Sequence, residues 1–178
     1  MLAVSSIDRG GAREVVALAL THADALYNLA RWLVRDPQEA EDLVQETYAR
    51  ALAAAQQFEA GSNLKAWLMR ILRNTYLDGR RRARPEGGDV AGENVEEMAP
   101  APNARESDSA QIRALVAEEV AAAVQALPEA WRTAILLDLE GLSEAEMAGV
   151  LGCAEGTVKS RLARARAALR ERLAGHRP

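Results

Sequence analysis

GCAEGTVKSRLARARAALR, residues 152–170, begins as a turn and ends as a basic helix. At about 100° per residue, Val158, Leu162, Ala165 and Leu169 fall on one narrow apolar stripe, which marks a helix with one buried side. The opposite arc carries Gly156, Thr157, Ser160, Ala163, Arg164 and Ala167, flanked by Lys159 and Arg161. A helix that only faces water carries longer polar side chains there. Small residues set between cations let a backbone approach a groove closely, so this arc suits DNA.

The preceding LSEAEMAGVL, residues 142–151, predicts a second helix. Ser143 followed three residues later by Glu146 forms a capping box, and Leu142, Met147, Val150 and Leu151 supply the apolar face. GCA makes the turn. Two short helices joined through a glycine give a helix-turn-helix, whose second helix lies in the major groove. An ordinary helical hairpin has the same local pattern, so the rest of the chain must decide.

Of the 178 residues, 49% are hydrophobic, many of them alanine, and only 4% are aromatic. No alternating strand-like run stands out, and the expected class is all-α with one or two small cores. No apolar run is long enough to span a bilayer, so the expectation is a cytoplasmic protein without membrane insertion. Cys153 stands far from His22 and His176 in sequence, which leaves neither metal-ligand spacing nor a nucleophile with a base. The reading is no enzyme, no metal and no cofactor, with Cys153 a small residue filling a turn.

The net charge of −4 argues against nucleic acid until its distribution is read. Acid dominates 36–59, base dominates 65–84, acid returns over 86–108 and 118–146, and 159–177 is strongly basic. Blocks of this size point to separate surfaces for separate partners. Helical periodicity covers 13–35, 37–56 and 63–81, with Pro37 suited to a first helical position. PEGGDVAGENVEEMAPAPNARESDS, residues 85–109, is poor in large apolar residues and reads as a linker. About 25 such residues span roughly 25–30 Å on average and roughly 85 Å stretched. Helical spacing resumes at about 110 through Ile112, Leu115, Val116, Val120 and Val124, and again from Pro128.

NLKAWLMRILRNTYLDGRRR puts Leu64, Trp67, Leu68, Ile71, Leu72 and Thr75 on one face, with Lys65, Arg70 and Arg73 turned away. Gly61, Ser62 and Asn63 before it are small and polar, able to cap the helix and to pocket a base lifted from its stack. The cations would line the strand's backbone. Upstream, AEDLVQETYARAL buries Leu43, Val44, Thr47 and either Ala51 or Leu52, leaving Asp42, Gln45, Glu46 and Arg50 outward. Exposed acid would repel phosphate, so a basic protein partner is the coherent use.

DPQEAEDLVQETYARAL, FEAGSNLKAWLMRILRNTYLDGRRR and LPEAWRTAILLDLEGLSEAEMAGVLGCAEGTVKSRLARARAAL resemble, in order, regions 2.1–2.2, 2.3–2.4 and 4.1–4.2 of bacterial extracytoplasmic-function sigma factors. The resemblance covers nearly the whole chain. It implies a region 2 domain at 1–84, a flexible acidic linker at 85–109 and a region 4 domain at 110–178. It also implies binding to the clamp helices and flap of core RNA polymerase and initiation at promoter DNA. Asp42, Gln45, Glu46 and Arg50 become candidates for the polymerase. Phe58, Gly61, Ser62, Asn63, Lys65, Arg70, Arg73 and Asn74 become candidates for the minus-ten element. Thr157, Lys159, Ser160, Arg161, Ala163 and Arg164 become candidates for the minus-thirty-five element. The linker would thread past the active-site and RNA-exit channels, its acidity mimicking nucleic acid.

GSNLKAWL is similar to the subgroup that answers stress under an anti-sigma factor, which adds such a partner. Ala154, where the family often has Pro, and the small Ala163 depart from the pattern. The alternative is a sigma-mimicking adaptor that sequesters an anti-sigma factor without reading DNA. Such adaptors carry a receiver domain and lose the basic residues, whereas here the basic arc is intact.

Overall fold

Thr21 ends a helical stretch before it can become one long helix. In the computed structural model, which describes residues 18–59, 61–83 and 108–174 (side chains from 116 onward in the last), residues 18–20 are helical and 21–22 form a turn. The Thr21 hydroxyl donates to the Leu18 carbonyl at 2.6 Å, and the His22 N–H donates to the Ala19 carbonyl at 3.1 Å. A side chain that takes a backbone acceptor competes with helix propagation. The single helix expected over 13–35 is therefore interrupted, and α1 runs Ala23–Val34.

Helix α2, Pro37–Ala53, starts where Asp36 accepts from the Glu39 N–H at 2.9 Å with Pro37 in the first turn. A 3-10 turn, Ala55–Gln57, takes up the end of the expected 37–56 helix. Helix α3 covers Leu64–Ala83. Then follow α4, Asp108–Gln125, α5, Glu129–Leu139, α6, Glu144–Leu151, and α7, Glu155–Ala174. Every regular element among the described residues is helical, as expected. Residues 84–107, which hold all but the last two of the expected linker, lie outside the described residues.

The buried residues form one continuous apolar cluster, from Leu26, Leu29, Leu68 and Leu72 in the first half to Leu137, Met147, Val158 and Leu162 in the second. The junction is made by α3 packing along α6. That second contact explains why α3 buries Met69 completely, although Met69 lies off the stripe read from the sequence. Ala51 rather than Leu52 is the buried alternative at the end of α2, Leu52 being 53% exposed. Thr47 is fully buried and satisfied, its hydroxyl donating to the Leu43 carbonyl at 2.7 Å.

Val116 and Val120 of α4 are not core residues. Both are exposed. With Leu29 and Trp32 of α1 and Leu139 of α5 they line an open apolar groove of about 510 Å³. The second half is tied by Arg132, buried on α5, whose Nη1 donates to the Gln125 and Leu127 carbonyls at 2.8 and 3.2 Å. The first carbonyl ends α4 and the second lies in the turn that follows, so one guanidinium fixes the α4–α5 corner.

Candidate nucleic-acid and polymerase interfaces

The helix-turn-helix follows from three local devices. Ser143 accepts from the Glu146 N–H while the Glu146 carboxylate accepts from the Ser143 N–H, closing the capping box that starts α6. Gly152 ends α6 with φ 62°, a left-handed conformation that costs an L-residue roughly 1 kcal/mol. Val158, Leu162 and Ala165 are buried and Leu169 packs against them, which fixes the roll of α7 about its axis. Arg166 pairs with Asp138 of α5 at 2.7 Å and holds the far half.

This roll turns Gly156, Lys159, Ser160, Ala163, Arg164 and Ala167 to solvent, with Thr157 half-buried beside them. The minus-thirty-five candidates thus form one surface, with one difference. Arg161 is half-buried, its guanidinium donating to Cys153 Sγ at 3.6 Å, so it braces the turn. Lys159 meets Glu144 at 3.3 Å, and the Ser160 hydroxyl turns back to the Thr157 carbonyl at 2.9 Å. Arg164 has no partner among the described residues and stands clear.

The minus-ten candidates cluster where α3 begins. Phe58 lies against Trp67, ring centroids 5.4 Å apart, and anchors the loop on α3. Gly61 has φ 89°, a backbone state that favours glycine, and the Ser62 hydroxyl donates to the Glu59 carbonyl at 2.7 Å. Asn63 caps α3, its side-chain oxygen accepting from the Ala66 N–H at 3.2 Å. Arg70 and Asn74 are exposed on the helix.

Lys65 and Arg73 were expected to turn outward, and they do not. Lys65 is half-buried against α5, its ammonium 2.5 Å from the Glu140 carboxylate and 2.8 Å from the Glu140 carbonyl. Arg73 is half-buried too, and burial followed by the like charge of Arg161 pulls its guanidinium below its ordinary pKa. Asn63 donates from Nδ2 to Glu146 Oε1 at 2.7 Å, and Arg80 meets Glu129 at 2.7 Å. The Ser143 N–H first, and the Asn63 amide second, hold the Glu146 carboxyl below its ordinary range. The cause of all four is the contact of α3 with the second half.

The basic block 65–84 and the acidic block 118–146, expected to serve different partners, meet each other through Lys65, Arg80, Glu129 and Glu140. Sequence reading left Glu129, Glu140 and Arg80 unassigned. Complementary charge in successive blocks was the signal available for them.

On α2, Asp42, Gln45 and Glu46 are exposed as expected. Arg50 is half-buried and committed internally, donating to Glu46 at 2.8 Å and to Asp78 of α3 at 3.0 Å. It ties α2 to α3 and orients the Glu46 carboxylate.

Two ordered family matches divide the chain along this architecture. Residues 18–86 match Sigma-70 region 2, and residues 117–169 match Sigma-70, region 4. The extracytoplasmic-function (ECF) RNA polymerase sigma factor EcfG of Rhodopseudomonas palustris is 43% identical over 131 residues, 73% of this chain and 68% of that protein. The chain belongs to the ECF sigma factors of the sigma-70 family. It is therefore similar over most of its length to promoter-directing initiation factors. The RNA polymerase sigma-H factor of Pseudomonas aeruginosa is 37% identical, covering 93% of this sigma factor and 89% of its own length. The sigma factor RpoE of Bartonella quintana, solved in complex with the anti-sigma factor NepR, superposes with TM-score 0.73 at 37% identity, over 93% of this chain and 99% of that one. That likeness embraces regions 2 and 4 together. Among the described residues no helix is long and apolar enough to cross a membrane.

Proposed function

We propose that this sigma factor, a non-enzymatic subunit acting in the cytoplasm, joins core polymerase through α2 and reads two promoter elements with separate faces. The functional units are 1–84, the linker 85–109, and 110–178. Asp42, Gln45 and Glu46 meet the clamp helices, with Arg50 positioning Glu46. Thr157, Lys159, Ser160, Ala163 and Arg164 enter the major groove at the minus-thirty-five element, with Arg161 bracing the turn. Phe58, Gly61, Ser62 and Asn63 capture a base flipped from the minus-ten element, while Lys65, Arg70, Arg73 and Asn74 guide the strand. An anti-sigma partner is the proposed regulator, by likeness to RpoE.

The observation that carries this reading is the exposed basic arc of α7 set on a packed helix-turn-helix. Each good base contact is worth roughly 1–3 kcal/mol, while a chain of net charge −4 repels duplex through its other surfaces. Free protein therefore binds promoters weakly, and polymerase supplies the missing affinity. Purified protein added to sigma-free core polymerase, with transcript starts mapped over genomic DNA, tests it. Starts preceded by two shared motifs at fixed spacing are expected; starts with no shared motif overturn the reading.

A further inference from the structure

The two proposed reading faces cannot serve one promoter in the arrangement described above. Elements named minus-thirty-five and minus-ten lie about 25 base pairs apart, or ~85 Å along straight B-DNA. Here Asn63, at the base-capturing loop, touches Glu146 on the first helix of the helix-turn-helix at 2.7 Å. The second half must leave the first before both elements are engaged.

The contacts that hold the halves together are not placed evenly. Asn63, Lys65 and Arg80 all lie on the strand-guiding loop and helix α3, and each is met by a carboxylate from the second half: Glu146, Glu140 and Glu129. Carboxylates thus occupy Asn63 and Lys65, whose proposed duty is to hold a base and the strand backbone, and Arg80 farther along the same helix. The arc of α7, by contrast, stays open to solvent. The closed chain thus has Asn63 and Lys65 engaged on one face, while the other face is available.

Resting on the function proposed above, we propose that Glu129, Glu140 and Glu146 form an intramolecular latch that engages Asn63 and Lys65 on the minus-ten face of the free sigma factor and leaves its minus-thirty-five face available. The latch lies over the apolar contact of α3 with α6, so its acids bias an opening that polymerase completes. Each of these contacts, two ion pairs and one amide–carboxylate hydrogen bond, shifts an equilibrium by roughly two- to fivefold, so three together shift it by about tenfold or more. Glu146 is the most informative member. Its two oxygens serve two tasks, Oε2 taking the Ser143 N–H and Oε1 taking Asn63. Glutamine has one acceptor oxygen, so Glu146→Gln can keep the helix cap or Asn63 but not both.

The test compares free wild-type protein with the triple variant Glu129→Gln, Glu140→Gln, Glu146→Gln. A charge-matched control carries Asp24→Asn, Glu41→Gln and Glu171→Gln, three exposed acids away from the contact. Small-angle scattering gives the dimensions, and a fluorescent single-stranded oligonucleotide of minus-ten sequence reports access to the strand-binding face. The triple variant should be larger than wild type and bind the strand about tenfold tighter, with circular dichroism unchanged, while the control matches wild type in size and binds less than twofold tighter. Equal gains in triple variant and control overturn the latch, because loss of net charge alone then explains them. An already extended wild type overturns it too. Failure of the start-site mapping would instead sink the functional reading, since scattering on the free chain needs neither polymerase nor promoter.

Discussion

Glu146 accepts from the Ser143 N–H through one carboxylate oxygen and from the Asn63 amide, 83 residues away in sequence, through the other. One side chain therefore starts the helix-turn-helix and occupies the residue proposed to hold a flipped base. Replacing Asn63 acts on both. Asn63→Ala should slow strand opening by holoenzyme tenfold or more while leaving closed-complex affinity within about threefold, at a cost of roughly 1 kcal/mol for the lost cap. Permanganate reactivity against band-shift affinity measures the split. Equal losses in both assays would remove Asn63 from strand capture.

Arg164 has no partner among the described residues, so its loss should touch binding alone. Arg164→Ala is expected to weaken holoenzyme binding at the minus-thirty-five element by roughly 5- to 150-fold, the value of one good base contact, and to leave stability within about 0.5 kcal/mol. Binding isotherms on promoters with intact and scrambled minus-thirty-five elements, beside urea unfolding, decide this. A loss of the same size on the scrambled promoter would make Arg164 a phosphate contact.

Arg132 gives the opposite pattern. Its buried guanidinium satisfies the Gln125 and Leu127 carbonyls, so Arg132→Met should destabilise the second half by about 2–4 kcal/mol through orphaned acceptors. Urea denaturation followed by circular dichroism measures it. A midpoint unchanged from wild type would show those carbonyls to be satisfied otherwise.

The Glu146 carboxyl is held below its ordinary value of 4.5, first by the Ser143 N–H and then by Asn63. A group whose pKa is lowered by folding contributes stability above its unfolded value and loses it as pH falls through the folded one. Wild-type protein should lose stability below about pH 4.5 in excess of Glu146→Gln, the two curves converging at the most acidic end. Thermal melts from pH 7 to pH 3 test this. Parallel curves would show that Glu146 does not titrate with unfolding.

Much of this fold was legible because its boundaries are written in local chemistry. Pro37, the Ser143–Glu146 box and Gly152 each act within a few residues, and each stands where its spacing predicts. The exposed arc of α7 was legible for the same reason, since its buried stripe fixes its roll. The break at Thr21 was not, because a hydroxyl taking a carbonyl leaves no mark on periodicity. Met69 escaped since α3 buries two faces and a wheel drawn for one stripe misses the second. The pairs Asn63–Glu146, Lys65–Glu140 and Arg80–Glu129 escaped because partners 83, 75 and 49 residues apart obey no helical period. Only the alternation of charged blocks hinted at them.

The turn at Gly152 and the stripe of Val158, Leu162 and Ala165 carry the structural burden of α7, leaving Lys159, Ser160, Ala163 and Arg164 free of packing duty. Under the proposed reading of the minus-thirty-five element, sequence preference is modular. A designer, or natural selection, would then rewrite those four letters to retarget the factor to another set of genes without re-optimising the scaffold that presents them.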